Sequence, residues 1–450
     1  MTIPKNPYLI FSPFLLFYIV FVLIFQQNTL SGDEYRHIFF TQNLLHGYYS
    51  PADITLGHGP GYSLFLTPFL ALKIPLLLIK LTNPFFYYLS IVFLFKALKQ
   101  IAPFHIALLF CLFWACYYNS FDNMHFLHSE VFSSFLVVML LYFLLKAFNS
   151  NNAKTEKGNV ILSGVTMGYL ILTKVIFGYV LLFMLIAAGL LWLINRKVPN
   201  YRKGAMILLI AFITMVPYLF YTYKLTGKIY YLSTYGGEHL YWMTTRHEGE
   251  YGSWFAAPIL KKSLVSPEDN IKDSQDGGYQ KFLNSDNLVP GIDDSIKLHH
   301  QKDFDEILKY STTGAERDDA FKRIAIRNIK ANPLDYVKNC FSNIGRILFN
   351  YPYSYTAQRP STLLRFPLNG IIAVLMLFCI IPTFLNWKKI IYPVRFMLFF
   401  IFLYLGGSIL GSAEIRMFTT IVPMLLFWIA FILINTVKIN LKFYQGRASE

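Results

Sequence analysis

Residues 31–72 read SGDEYRHIFFTQNLLHGYYSPADITLGHGPGYSLFLTPFLAL and follow directly on an apolar stretch near the start of the chain. The acidic pair Asp33 and Glu34 opens an amphipathic run that is typical of a short helix lying at a membrane surface. A Gly/His/Pro turn that contains His58 comes next, and a second apolar run closes the segment. Charge beside a bilayer costs free energy, and the acids found there usually serve a function. This segment is therefore our first candidate for an active-site loop.

The composition indicates a membrane protein. Of the 450 residues, 55% are hydrophobic and only 14% are charged, against about 25% charged in soluble domains. Apolar runs of about 20 residues recur along the chain, which excludes one large soluble core. The net charge of +15 is attributed to Lys and Arg in cytoplasmic loops, and no nucleic-acid partner is expected. The four cysteines do not form a disulfide framework.

Together these features predict an all-α polytopic membrane protein with about ten transmembrane helices. Basic clusters fall on one side when residues 60–72 stay at the outer surface, so interfacial helices are expected in the first outer loop. Both termini are then cytoplasmic, in an inner or plasma membrane, and the loop with Asp33 is extracytoplasmic. The predicted spans are 8–25, 74–98, 104–118, 130–145, 160–173, 175–194, 205–221, 368–385, 394–410 and 417–434.

Three parts of the chain follow from this topology. Residues 1–222 form an N-terminal transmembrane module, whose first outer loop is 27–73. Residues 223–365 are polar and predict an extracytoplasmic domain that is mixed or mostly α. Residues 366–450 comprise the last transmembrane helices and a cytoplasmic tail. No fold is predicted for 240–315.

Three acids are candidate catalytic residues. Asp33 and Glu34 lie just outside the first span, where they are either solvated charges at a helix start or a general base for an acceptor hydroxyl. Glu130 opens the span 130–145 on the same side of the membrane. Two carboxylates in one pocket can divide the work, one as the base and one orienting a substrate or a cation.

A phosphate leaving group requires cationic stabilisation. The candidates on the outer side are Lys174, Arg246 and Arg416, and Arg36 is a less favoured candidate. Each has a simpler explanation as well: Lys174 can extend its amine to the interface, and Arg416 can pair locally with Glu414.

Histidines offer a further set of candidate contacts. His58 is either a turn residue or a phosphate contact. His125 and His128 near Glu130 leave a divalent cation open, but this spacing is a weak signal. No metal site is assigned, and no cofactor is required.

Four motifs resemble the GT-C superfamily of polyprenyl-phosphate-sugar-dependent glycosyltransferases, in particular aminoarabinose transferases and protein mannosyltransferases. They are GDEYRHIFFTQNLLHGYY, HGPGYSLFLTPFLAL, HSEVFSSFLVVMLLYFLL and EIRMFTTIVPMLLF, to which Leu172-Thr173-Lys174 adds a fifth. The resemblance implies inverting transfer of a sugar. Asp33 would be the base, Glu130 the second acid, and Lys174 and Arg416 the phosphate contacts. His58-Gly59-Pro60 departs from the Lys-Pro-Pro turn of the aminoarabinose transferases.

The favoured function is therefore transfer of a sugar from a polyprenyl-phosphate carrier, held in a hydrophobic groove, to a glycolipid, cell-wall glycan or protein acceptor. One alternative is a transporter or flippase of a lipid-linked saccharide, which would usually place its acids mid-span and contain internal repeats. A second alternative is an O-antigen-type polymerase or ligase that depends on outer arginines, for which Arg246, Arg346 and Arg359 are candidates.

Overall fold

The computed structural model is helical throughout the residues that it describes, with no β-strand among them. The described residues are 6–27, 30, 33–52, 56–194, 200–247, 249–254, 292–353 and 361–436. Their helices in chain order are α1 Pro7–Ile10, α2 Ser12–Phe25, α3 Asp33–Leu45, α4 Pro60–Ala71, α5 Leu76–Lys80, α6 Thr82–Leu98, α7 Phe104–Ala115, α8 Tyr118–Phe121, α9 Ser129–Asn149, α10 Ala153–Thr173, α11 Ile176–Ile194, α12 Tyr201–Thr226, α13 Gly236–Met243, α14 Ile292–Lys309, α15 Gly314–Ala331, α16 Pro333–Phe349, α17 Ser361–Leu385, α18 Tyr392–Leu410 and α19 Ile415–Asn435.

Seven helical stretches in the described chain are long and apolar enough to cross a bilayer. They are Leu76–Leu98, Ser129–Asn149, Ile176–Ile194, Tyr201–Thr226, Leu363–Leu385, Tyr392–Leu410 and Ile415–Asn435. Two further apolar helices, Ser12–Phe25 and Phe104–Ala115, are shorter, and α10 has charged residues in its first turns. The prediction of an all-α polytopic membrane protein is confirmed. The predicted count of about ten spans is not confirmed, since seven of the described helices meet both criteria.

Helices α9 and α19 are the most buried of the long apolar helices, and α10 packs against both α9 and α12. Gly164 and Gly168 lie four residues apart on α10, and a Cβ atom on either would come within 2.5 Å of Ile210 or Thr214 of α12. Small residues at this spacing allow two helix backbones to approach closely, which favours packing in a membrane. The end of α10 is thereby fixed relative to its neighbours.

The first loop contains two helices, α3 and α4, as predicted. They pack against each other, and the Tyr169 hydroxyl of α10 donates to the Gly61 carbonyl at 2.8 Å. A Cβ on Gly61 would lie 2.6 Å from the Thr173 nitrogen. The start of α4 therefore lies directly against the end of α10.

The polar part of the chain is helical where it is described, and it contacts the same end of the bundle. The Thr234 N–H donates to the Leu56 carbonyl at 2.9 Å, and the Asn343 amide donates to the Ser408 carbonyl at 3.0 Å. Residues 255–291 and 354–360 of the predicted domain 223–365 lie outside the described residues, so its boundaries remain a prediction. This region has a small apolar core of its own: Tyr241, Trp242, Phe304, Ile307, Ala320, Phe321, Ile324 and Ala325.

A buried ion pair fixes the start of α3 to α5. Glu34 and Lys80 are 0% and 1% exposed, and their charged atoms lie 3.2 Å apart. Glu34 also accepts from the Leu127 N–H at 2.8 Å, and Lys80 donates to the Gln27 carbonyl at 3.0 Å. Losing one member of a buried pair leaves a charge without compensation.

We expect Lys80→Met to lower the free energy of unfolding by about 3–5 kcal/mol, because it leaves the Glu34 carboxylate buried without its cation. Thermal unfolding of the purified protein in detergent measures this. The double variant Glu34→Gln/Lys80→Met is expected to recover part of the loss, since no buried charge remains. Lys338→Met, which removes a 76% exposed lysine paired with Asp335, serves as the control. Equal effects of Lys80→Met and Lys338→Met would contradict this account.

Candidate active site

Asp33 lies at the centre of a group of cations at one end of the bundle. One of its oxygens accepts from the Arg416 guanidinium. The other lies 3.5 Å from the His58 ring nitrogen and 3.7 Å from the Arg36 guanidinium. A carboxylate with three basic neighbours is held in its ionised form.

Glu130 lies beside the same arginine. Its Oε1 atom accepts from the Lys174 ammonium at 2.9 Å and lies 3.7 Å from Arg416 Nη1. Arg416 Nε contacts Glu414 at 2.9 Å. One guanidinium thus lies among three carboxylates, and two of the three acids that the sequence singled out, Asp33 and Glu130, share it.

Helix ends place these side chains. Asp33 is the first residue of α3, Glu130 is the second of α9, and Arg416 is the second of α19. Lys174 caps the C-terminal end of α10. Acids at helix starts and a cation at a helix end each match the helix dipole. The dipoles therefore stabilise Asp33, Glu130 and Lys174, whereas Arg416 lies at a helix start, against the dipole of α19, and is held by its carboxylate partners.

The turn that contains His58 is anchored on both sides. The Tyr49 hydroxyl lies 3.0 Å from the His58 carbonyl and 2.9 Å from the Gly59 carbonyl. The His58 ring lies 4.8 Å from the buried His37 ring. This anchoring holds the imidazole next to Asp33.

The electrostatics of Asp33 follow from two opposed effects. Burial acts to raise its pKa, but the Arg416 charge, followed by His58 and Arg36, outweighs burial and holds the pKa well below its usual range. Asp33 is therefore an anion in the free protein, and its pKa depends on which group pairs with Arg416.

Two predicted site residues have other surroundings. Glu34 is paired with Lys80 in the buried contact described above. Arg246 is exposed, lies 2.7 Å from the Asn332 side-chain amide and lines a separate cavity with His247 and His299. The contacts of Arg246 do not join it to the Asp33 group.

Arg346 and Arg359 are the other arginines named for the polymerase or ligase alternative. Arg346 is fully buried and donates to the Tyr251 carbonyl at 2.7 Å and the Gly252 carbonyl at 3.1 Å. These contacts hold a backbone turn, which is a structural role. Arg359 lies outside the described residues.

Sequence reasoning missed the contribution of α13. The Arg36 guanidinium lies over the Tyr235 ring, 5.3 Å from its centroid. Glu238, one turn further on, is 8% exposed, and burial raises its pKa to about 7 against the attraction of Arg36 and Arg317. The sequence carried a signal in GGEHLYW, an acid at a helix start, at the edge of the stretch 240–315 for which no fold was predicted.

His239 follows on the same helix. Burial, together with the Arg416 charge, lowers its pKa to about 4, so the imidazole is neutral near pH 7.

Asp318 accepts from the Gly237 N–H and from the Tyr231 hydroxyl, each at 2.5 Å. These bonds fix the start of α13 beside the Asp33 group.

No family model matches the sequence, and no curated protein matches it. Among solved structures the chain is similar to the oligosaccharyltransferase of Archaeoglobus fulgidus, determined with a tethered acceptor peptide. The TM-score is 0.48 and the identity 11%, over 94% of this chain and 49% of that one. A structure of the archaeal oligosaccharyltransferase AglB from Archaeoglobus fulgidus contains an inhibitory peptide and a dolichol-phosphate.

The chain is also similar to ArnT from Cupriavidus metallidurans bound to undecaprenyl phosphate. The TM-score is 0.39 and the identity 13%, over 94% of this chain and 76% of that one. ArnT is an aminoarabinose transferase, the class of protein that the motifs of this sequence resemble. This chain spans about half the length of the archaeal oligosaccharyltransferase. What its site can do is inferred below from its own residues.

The raised pKa of Glu238 makes stability depend on pH. The folded-state pKa of about 7 exceeds the ordinary 4.5, so the folded protein holds an extra proton between these values. Stability therefore falls as pH rises through this window. We expect Glu238→Gln to gain up to about 3 kcal/mol in free energy of unfolding relative to wild type between pH 4.5 and 8.

Thermal unfolding of both proteins across this pH range measures the effect. The control is Glu306→Gln, which replaces a carboxylate that pairs with Arg327 and is 36% exposed. Its offset from wild type is expected to stay nearly constant. Parallel pH curves for wild type and Glu238→Gln would contradict the burial argument.

Proposed function

We propose that this chain is a membrane glycosyltransferase that moves a sugar from a polyprenyl-phosphate carrier to an acceptor hydroxyl on the extracytoplasmic side. The observation that supports this most directly is the position of Arg416 between Asp33 and Glu130. A guanidinium matches the geometry of a phosphate, and a carboxylate beside it can accept a proton. Both groups that the reaction needs therefore lie in one place.

In the proposed reaction the acceptor oxygen attacks the anomeric carbon while its proton passes to an oxygen of Asp33. A new carbon–oxygen bond forms on the face opposite to the phosphate, and the configuration inverts. The old bond between the anomeric carbon and the phosphate oxygen breaks, and its electron pair leaves with the phosphate. Arg416 and Lys174 stabilise the charge that develops on the leaving group.

Donor binding would change the proton affinity of Asp33. Before binding, Arg416 pairs with Asp33 and holds its pKa low, which makes the carboxylate a weak base. A carrier phosphate that takes over Arg416 would leave Asp33 buried with less positive charge beside it, and its pKa would rise. The base would thus become stronger only when a donor is present.

Glu130 has a supporting part in this proposal. It contacts both Lys174 and Arg416, so it can orient the two cations toward one phosphate. The two basic side chains carry two positive charges, and Asp33 and Glu130 balance them in the empty site. Without that balance, cations this close together would repel each other.

The acceptor would enter from the polar side of the site. Tyr235 and Glu238 of α13 border the Asp33 group through Arg36, and polar groups there suit a sugar or peptide acceptor. The carrier lipid would lie in a groove along the apolar helices. A glycolipid, a cell-wall glycan and a protein remain the classes of acceptor, and the donor sugar is a hexose or a pentose.

A loss of transfer in Asp33→Asn is the first test. Removing a general base lowers kcat by about 10²–10⁴-fold, and we expect a loss in this range. Reconstituted liposomes with a panel of labelled polyprenyl-phosphate sugars and envelope extract as acceptor provide the assay. Size-exclusion profiles and melting temperature establish that the variant folds. Asp319→Asn, which removes a half-exposed carboxylate paired with Lys228, is the control. Full activity in Asp33→Asn would refute the assigned base.

The second test uses pH profiles. The profile of kcat/KM reports the free enzyme and that of kcat the donor complex. If phosphate displaces Asp33 from Arg416, the acid limb of kcat lies at higher pH than that of kcat/KM in wild type. In Arg416→Gln we expect this gap to close, with kcat at least about 100-fold lower. Arg365→Gln, which breaks the pair with Asp122, is the control. A gap that persists in Arg416→Gln would contradict the displacement step.

A further inference from the structure

A second cluster of titratable side chains lies in the polar region, apart from the Asp33 group. The imidazoles of His247, His299 and His300 bring ring nitrogens within 4.8 Å of one another. His300 and Glu250 are buried, at 3% and 2% exposure. The three histidines line a cavity of about 210 Å³. Solvent ions can therefore reach the cluster.

A chain of hydrogen bonds links His300 to Asp303. Asp303 pairs with Arg327 at 3.0 Å and can only accept hydrogen bonds as a carboxylate. The Tyr241 hydroxyl lies 3.0 Å from Asp303 Oδ2 and 2.6 Å from His300 Nδ1. When the hydroxyl donates its single proton to Asp303, its oxygen accepts from His300 Nδ1, and the lone pair of a neutral His300 is then on Nε2.

That lone pair faces a carboxylate. His300 Nε2 lies 3.0 Å from Glu250 Oε1 and 3.1 Å from Oε2. In the tautomer with the proton on Nδ1, two acceptors face each other at this distance, and a second proton or a metal ion between them satisfies both. His299 Nδ1 lies 3.0 Å from the same Oε1 atom, so one cation placed here would serve both imidazoles.

We propose that Glu250, His299 and His300, completed by His247, bind a divalent transition-metal ion of the Zn²⁺ class. Imidazole nitrogens with one carboxylate are ligands that Zn²⁺ favours. The link from His300 Nδ1 through Tyr241 to Asp303 would be the outer hydrogen bond that orients a ligating histidine and fixes its tautomer. The ion would supply a positive charge between His300 Nε2 and the Glu250 carboxylate.

Some closure of the ligands accompanies binding. Zn–N distances of about 2.0–2.1 Å place tetrahedral ligand atoms about 3.3 Å apart, closer than the 4.8 Å limit that encloses them here. His247 stacks face to face on His299 at 3.7 Å, and it has to turn to point a nitrogen at the ion. His247 is exposed, so nothing around it opposes that rotation.

The ion would tie α14 to the segment after α13. His299 and His300 belong to α14, whereas His247 and Glu250 follow α13, with residues 255–291 between them in sequence. The core that joins these elements contains eight buried apolar residues. Cores of this size often need a metal or another crosslink to be stable. The expected role is therefore structural, and it is independent of sugar transfer.

The test uses the full-length protein in detergent, purified without a histidine tag and stripped with EDTA. We expect one Zn²⁺ per chain by metal analysis and titration calorimetry, and a higher melting temperature when Zn²⁺ is added. Co²⁺ should give the visible absorption of a tetrahedral nitrogen–oxygen site. His299→Asn is expected to lose at least tenfold in Zn²⁺ affinity and to lose the shift in melting temperature.

His105→Asn is the matched control, because His105 is exposed and lies outside the cluster; it is expected to bind Zn²⁺ as wild type does. His247→Asn tests the same site with little risk to folding, since His247 is exposed. The proposal is overturned if wild type binds no Zn²⁺, or if both cluster variants bind it unchanged. It is also overturned if inorganic phosphate, drawn by Arg246, Lys302 and Arg327 around the cavity, stabilises the protein and Zn²⁺ does not.

Discussion

The shared guanidinium of Arg416 is the interaction on which the rest of the site depends. It contacts Asp33, Glu130 and Glu414, which come from helix starts and a loop that are distant in sequence. Without this cation, carboxylates would converge at the end of the bundle with too little compensating charge. The same contact sets the ionisation of Asp33, so the packing of α19 against α9 and the acid–base properties of the site have one origin.

Two layers hold this arrangement. Inside the bundle, close packing of α10 on α12 at Gly164 and Gly168 fixes the helix that ends at Lys174. Outside it, α13 is held by Asp318 and places Tyr235 and Glu238 beside Arg36. The helix ends thus position Asp33, Glu130, Lys174 and Arg416, and α13 of the polar region lies beside Arg36. A substrate would enter between the helix ends of the bundle and α13, which is held by hydrogen bonds.

The sequence predicted the helical membrane fold because long apolar runs have few alternatives in a bilayer. It also pointed to Asp33, Glu130, Lys174 and Arg416, since charges at the ends of apolar spans are few and share one side. It could not separate Asp33 from Glu34. Neighbours on a helix point in different directions, and only the packing of α3 on α5 decided which acid became buried against Lys80.

Other residues of the two clusters were beyond prediction for a different reason. Glu238, His247 and His299 lie in a polar stretch without strong periodicity, where contacts bridge about 50 residues of intervening chain. Such pairings depend on tertiary structure and leave no local pattern. Arg246 was predicted as a phosphate contact, yet its surroundings are those of the histidine cavity rather than those of Asp33.

The separation of Asp33 from Arg416 by 383 positions has a consequence for biogenesis. Glu130 can pair with Lys174, 44 positions away, as soon as α10 has been inserted, but the partner of Asp33 is synthesised with the final helix. Until then Asp33 has Arg36 and His58 beside it but lacks the Arg416 guanidinium. A ribosome that stops before α19 releases a product with most of the bundle and no functional centre.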